Sequence, residues 1–193
     1  MSEFHRHSNG GGLVESTASV ADTAYIGPNA VVAGNAVVEG NAIVDGNAKV
    51  FDNARVTGHA LVSGNAQIFG NAQLYGYAMV YGDAKVFDKV IVSGTARVFG
   101  DAEVYDNAVV SGDAVVSGDA LVSKPFPKIT RSDGYDFILV PDKDGIDVII
   151  AGCRYFSIEE AIEHWTETRY GTKLGDETML IIETLQKLKS IMD

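Results

Sequence analysis

Residues 44–67 read VDGNAK-VFDNAR-VTGHAL-VSGNAQ, four copies of one six-residue unit whose cleanest form is Val44-Asp45-Gly46-Asn47-Ala48-Lys49. The register extends both ways. From Val14 to Val122 an aliphatic residue stands at every sixth position, nineteen times without a slip. Alanine follows four residues later, from Ala18 to Ala120, with Val90 the one exception. A fixed period must be interpreted before any helix or strand is assigned. Period six fits neither a 3.6-residue helix nor simple alternation. It fits a short β segment, a bend and repetition. The aliphatic points inward, its two neighbours point outward, and the chain turns at Gly-Asn, residues that tolerate left-handed backbone.

A Val-x-Gly-Asn-Ala-x unit repeated in this way resembles the hexapeptide-repeat superfamily. That resemblance implies a left-handed parallel β-helix in which three hexads make one triangular coil. It covers residues 14–123, and the handedness comes from the family, not from the period. With strands stacked roughly 4.8 Å apart, about six coils give a prism on the order of 30 Å long. The wording of the repeats, with the lead-in His7-Ser8-Asn9-Gly10-Gly11-Gly12, also resembles hexapeptide-repeat proteins of phage and prophage type.

The flanks differ from the repeat. Residues 1–13 are polar and glycine-rich and read as a loose lead-in or cap; His5 and His7 there are too few to suggest a metal site. At Lys124-Pro125-Phe126-Pro127 the period stops, and two prolines forbid continuing the ladder. Residues 135–140 and 146–151 read as strands around a Pro141-Asp142-Lys143-Asp144-Gly145 turn, and Arg154-Tyr155-Phe156 extends the sheet. Ser157 and Glu160 form a capping box opening a helix to about Arg169. A second helix is expected over roughly Asp176 to Met192. The organisation is a lead-in (1–13), a β-helix (14–123) and a small α+β unit (124–193), mainly β overall.

Net charge is −11, which disfavours nucleic acid and anionic membrane as partners. No apolar run is long enough for a membrane span or a signal peptide, and the single cysteine, Cys153, allows no intrachain disulfide. A cytoplasmic protein is expected, and Cys153 reads as a buried structural thiol.

Sorting outward residues by coil reveals columns. One face carries Lys49 and Lys85 before the aliphatic, and Phe51, Phe69, Phe87 and Tyr105 after it. Aromatic faces beside ammonium groups suit a planar anionic ligand of nucleotide type; the same rings could also pack on a subunit or on the tail. A second face shows Ile43, Leu61 and Met79, apolar side chains best hidden in an oligomer interface. At the corners, Lys89 interrupts an asparagine column, Asp83, Asp101 and Asp119 stack as solvated turn residues, and His59 and Tyr77 occupy an irregular column.

Two functions from different classes follow. Many hexapeptide proteins are acyltransferases, in which a histidine is the general base and coenzyme A lies between prisms of a trimer. On that resemblance His59, the sole histidine within the repeat, is the base and acetyl-coenzyme A the cofactor. Family enzymes usually carry an extended loop that helps build the active site, and this repeat has none. The other reading is a non-catalytic binding or scaffold protein, homotrimeric, without cofactor or metal. Its ligand surface comprises Lys49, Phe51, Phe69, Lys85, Phe87 and Tyr105, with Tyr77 and Lys89. The phage-type resemblance implies counter-defence: sequestering a nucleotide-type molecule or occluding a host protein.

Overall fold

The computed structural model describes residues 3–124, 126–152 and 154–192; Pro125 and Cys153, and the expectations attached to them, lie outside the described residues. The repeat forms a parallel β-solenoid of about six turns. Each hexad contributes a two-residue strand, such as Leu61–Val62, paired in parallel with Met79–Val80 eighteen residues on. Three sheets result, of eight, six and six strands. Backbone bonds run from coil to coil, as when Phe51 N–H donates to the Ile68 carbonyl at 3.0 Å.

The inward positions are those the period marks. From Ala24 and Ile26 to Val104, every aliphatic and every alanine is fully buried, including Val90 in the place of an alanine. The turn is built differently from expectation. From Gly34 to Gly118, left-handed backbone falls on the glycine of the bend, with φ of +75° at Gly58 and +73° at Gly76, or on Asp52, Asp88 and Asp106 in its place. The following residue, usually asparagine, has no positive φ. Histidine, tyrosine, threonine or lysine therefore costs nothing there in backbone strain, which accounts for His59, Tyr77, Thr95 and Lys89. The asparagines are used for side-chain ladders instead, as from Asn47 to Asn65 at 3.0 Å and from Asn65 to Asp83 at 2.9 Å.

Two of the three aspartates at left-handed positions offset their conformational cost by bonding across coils. An Asp52 carboxylate oxygen accepts from Gly70 N–H, and one of Asp88 accepts from Asp106 N–H. A plain side chain has no such return. A Cβ on Gly94 would sit 2.6 Å from the Gly112 carbonyl oxygen, whereas one on Gly112 meets nothing within 4 Å. Both sites carry the left-handed penalty of about 1–2 kcal/mol. Denaturant titration of Gly94→Ala and Gly112→Ala should therefore show loss of stability in both, and the larger loss in Gly94→Ala.

Both ends of the prism are closed. Residues Phe4–Arg6 pair antiparallel with Leu13–Glu15, so the lead-in is an ordered hairpin, not a loose one. His7 is buried, Asn9 O accepts from Ile26 N–H at 3.0 Å, and Gly12 N–H donates to Ile26 O at 2.9 Å. Gly10 and Gly12 lie so close to Ile26 that no side chain fits at either.

At the other end, the tail forms a four-stranded antiparallel sheet of Lys128–Thr130, Asp136–Pro141, Asp147–Ala151 and Arg154–Ser157. Helices α1 (Ile158–Arg169) and α2 (Lys173–Met192) follow, the first opened by the expected capping box of Ser157 and Glu160. Alternation divides the sheet. Ile138, Val140, Val148 and Ile150 join the solenoid core, while Phe137, Leu139, Ile149 and Ala151 pack with Trp165, Ile181, Ile182 and Leu185. The tail is thus a lid over the open core of the last coil, and it does not fold back along the aromatic column.

Polar contacts fix the lid. Lys143 bonds Asp119 at 2.7 Å, and Lys128 bonds Asp113 at 2.9 Å and Asp136 at 2.6 Å. Tyr155 lies flat against Gly118, where an added Cβ would fall 2.5 Å from its ring. Burial, then the charges of Asp142 and Asp119, push its phenol up to about 12 from 10.0. Burial opposes the charge on Lys128, but the bonds to Asp136 and Asp113 outweigh it and raise its pKa; the Asp119 bond raises that of Lys143. All three shifts are upward, so their contribution is complete below the ordinary values and is lost above them. A pH series of melting temperatures should show the lid weakening from about pH 10 toward 12, with Tyr155→Phe removing the tyrosine part of the decline.

Candidate functional site

The eight-stranded sheet carries the aromatic column. Phe51, Phe69, Phe87 and Tyr105 follow the buried Val50, Ile68, Val86 and Val104, so the coil spacing is imposed on their rings. Centroids lie 4.9, 4.8 and 5.5 Å apart, with interplanar angles of 3°, 4° and 10°. Such spacing with parallel planes is offset stacking along the prism axis. The faces of the interior rings are covered by their neighbours, and the rings are half-buried. The column therefore presents ring edges along its length, and faces only at its ends.

The N-terminal end is open. The residue preceding Phe51 in the column is Ala33, so one ring is missing and the outer face of Phe51 borders a recess of about 520 Å³. Val31 and Ala33 form its floor, Lys49 stands beside it, and Glu15 and Asp52 lie at its rim. Both carboxylates are directed to backbone donors: Glu15 accepts from Gly34 N–H at 2.6 Å and Asp52 from Gly70 N–H at 3.2 Å. The alanine at the head of the aromatic column is legible from the eighteen-residue register; the recess that it leaves beside Val31 and Glu15 is not.

The other residues expected at a site are distributed. Lys85 is not a free cation, since it bonds Glu103 of the next coil at 2.8 Å. Lys49 makes no ion pair among the described residues. Lys89 is exposed on the corner following the aromatic face. His59 and Tyr77 sit together on the corner between the other two sheets, opposite the aromatic face, their rings stacked at 5.0 Å and 6°. Both are exposed, and the His59 ring makes no hydrogen bond among the described residues. A second short stack, Tyr81 on Phe99 at 4.9 Å, marks the face of Ile43, Leu61 and Met79.

Among the described residues no histidine, cysteine, aspartate or glutamate cluster could hold a metal ion, and no helix is long and apolar enough to cross a membrane. In the acidic corner Asn65 donates to Asp83, and Asp119 pairs with Lys143.

Comparison with known proteins adds a little. Residues 102–118, close to one coil, match the YdcK β-solenoid repeat model. No curated protein matches the chain. A Bacillus cereus protein provisionally described as an acetyltransferase is similar at 12% identity over 92% of this chain and 91% of that one, with a TM-score of 0.25. A score that low does not establish a common fold.

Proposed function

We propose that the protein is a non-catalytic binding scaffold: a trimeric solenoid that holds a planar, nucleobase-like ring against the open face of Phe51. The carrying observation is the missing ring at Ala33, a recess bordered by an aromatic face and an unpaired lysine. A bound ring there continues the stack at the spacing the coils already set. Lys49 takes one negative charge. A nucleoside or nucleoside monophosphate fits better than a triphosphate, whose charge Glu15 and Asp52 would repel.

Ile43, 40% exposed, with Leu61 and Met79 is the surface on which three prisms would associate. Sedimentation should then give a trimer, and Ile43→Glu a monomer.

Titration with nucleosides and nucleoside monophosphates tests the ligand. Binding that survives His59→Ala and disappears in Phe51→Ala supports the scaffold reading. Turnover that depends on acetyl-coenzyme A and is abolished by His59→Ala overturns it.

A further inference from the structure

The tail contains a cleft of about 340 Å³ remote in sequence from the solenoid recess, and three of the chain's six arginines line it: Arg131, Arg154 and Arg169. In a protein of net charge −11 that concentration is the reverse of the general balance. The three are not equivalent.

Arg131 is structural. Its side chain is 4% exposed, its Nε and Nη2 each donate to a different Asp133 oxygen at 2.9 Å, and its Nη1 donates to Thr178 Oγ1 at 2.8 Å. Its guanidinium lies 5.3 Å from the Tyr135 ring centre. Asp133 offsets its charge, and the bond from Arg131 holds that carboxyl below its ordinary value.

Arg154 and Arg169 are exposed and enter no ion pair among the described residues. Arg154 instead directs Nη1 at Nε2 of His164. Guanidinium only donates, so Nε2 is the accepting atom in this contact. The His164 ring packs against Phe156, at 5.0 Å, and Trp165, at 5.3 Å, which also touch each other. The cleft thus has a balanced Arg131–Asp133 floor, two uncompensated guanidinium groups and an aromatic wall. The nearby Glu177 is engaged by Ser132, through N–H at 2.8 Å and Oγ at 2.6 Å.

We propose that this cleft binds a phosphate monoester. Arg154 and Arg169 take the phosphate oxygens, and the organic group lies toward Tyr135, with the buried Trp165 behind it in the cleft wall. Paired guanidinium forks match a dianionic phosphate better than a single carboxylate does.

Trp165 is the chain's one tryptophan, so its fluorescence reports on the cleft directly. The protein is titrated with phenyl phosphate, inorganic phosphate, benzoate and phenol at constant ionic strength. Phenyl phosphate should give a saturable change, inorganic phosphate a weaker one, and benzoate and phenol little. Arg154→Ala with Arg169→Ala should lower phenyl phosphate affinity at least tenfold with an unchanged melting temperature, both side chains being exposed. Ala33→Phe should leave it unaltered. The proposal is overturned by no saturable change, by benzoate or phenol binding as tightly, or by a loss under tenfold in the double variant.

Discussion

Ala33→Phe should abolish binding of a nucleoside-type ligand at the aromatic face while making the solenoid more stable. The new ring enters a column whose members already lie 4.8–5.5 Å apart within 10° of parallel. Ala33 occupies the same register position one coil before Phe51, because Val31–Val32 pairs with Lys49–Val50. The required side-chain direction is therefore available without a backbone change, and the recess supplies the space. A stacked aromatic pair contributes about 0.5–1.5 kcal/mol beyond its buried area. For a chain of this length that corresponds to a melting temperature higher by a few degrees, on the order of 2–4 °C per kcal/mol. Most substitutions that remove binding also damage the fold, so loss and stabilisation together identify the recess. Ala33→Val is the control, adding bulk without a ring and giving the smaller rise. Undiminished binding in Ala33→Phe would place the ligand elsewhere.

The inward half of the solenoid is readable directly from its period, because a position recurring every six residues with only aliphatic or alanine occupants can have one environment. What happens outside is less readable. The column of Phe51, Phe69, Phe87 and Tyr105 follows from the eighteen-residue register, yet whether its rings show faces or edges depends on rotamers that the coil spacing selects. Once stacked, they close to ligands everywhere but at the ends. The conformational role given to asparagine was similarly misplaced: glycine and three aspartates take the positive φ, which freed His59 and Tyr77 to stack.

In the tail, α2 begins at Lys173 instead of near Asp176, because Thr172 Oγ1 accepts from Gly175 N–H as a cap, a signal present in the sequence four residues before Asp176. The strands Asp136–Pro141 and Asp147–Ala151 match expectation to within a residue, while Lys128–Thr130 was too short to stand out from the prolines before it. The basic cleft could not be read at all. Arg131, Arg154 and Arg169 belong to a turn, a strand and a helix end, and only the tertiary fold brings them together.

Ile150→Asp should detach the lid and turn a discrete assembly into one that grows with concentration. Ile150 is 1% exposed and belongs to the sheet face that completes the solenoid core beside Val116 and Val122. An aspartate there has no cationic partner among that cluster, and burying an unpaired carboxylate costs several kcal/mol. Since each coil of a solenoid is stabilised mainly by its neighbours, the coils beneath should persist when the lid leaves. What the lid uncovers is the last coil, whose strands Val109–Val110, Val115–Val116 and Leu121–Val122 have no further coil to pair with. Three open strand edges around an apolar core form a template for another prism end. Sedimentation should therefore show species that enlarge with concentration, while circular dichroism retains the β signal. Leu139→Asp separates the two sides of the sheet. Leu139 packs with Trp165 and the helices, so its substitution should lose helical signal and expose Trp165 before the end is uncovered. Ile150→Val, at about 0.5–1.5 kcal/mol, should do neither. If Ile150→Asp stays the size of the parent at every concentration, the tail is an appendage and the solenoid end is protected by other means.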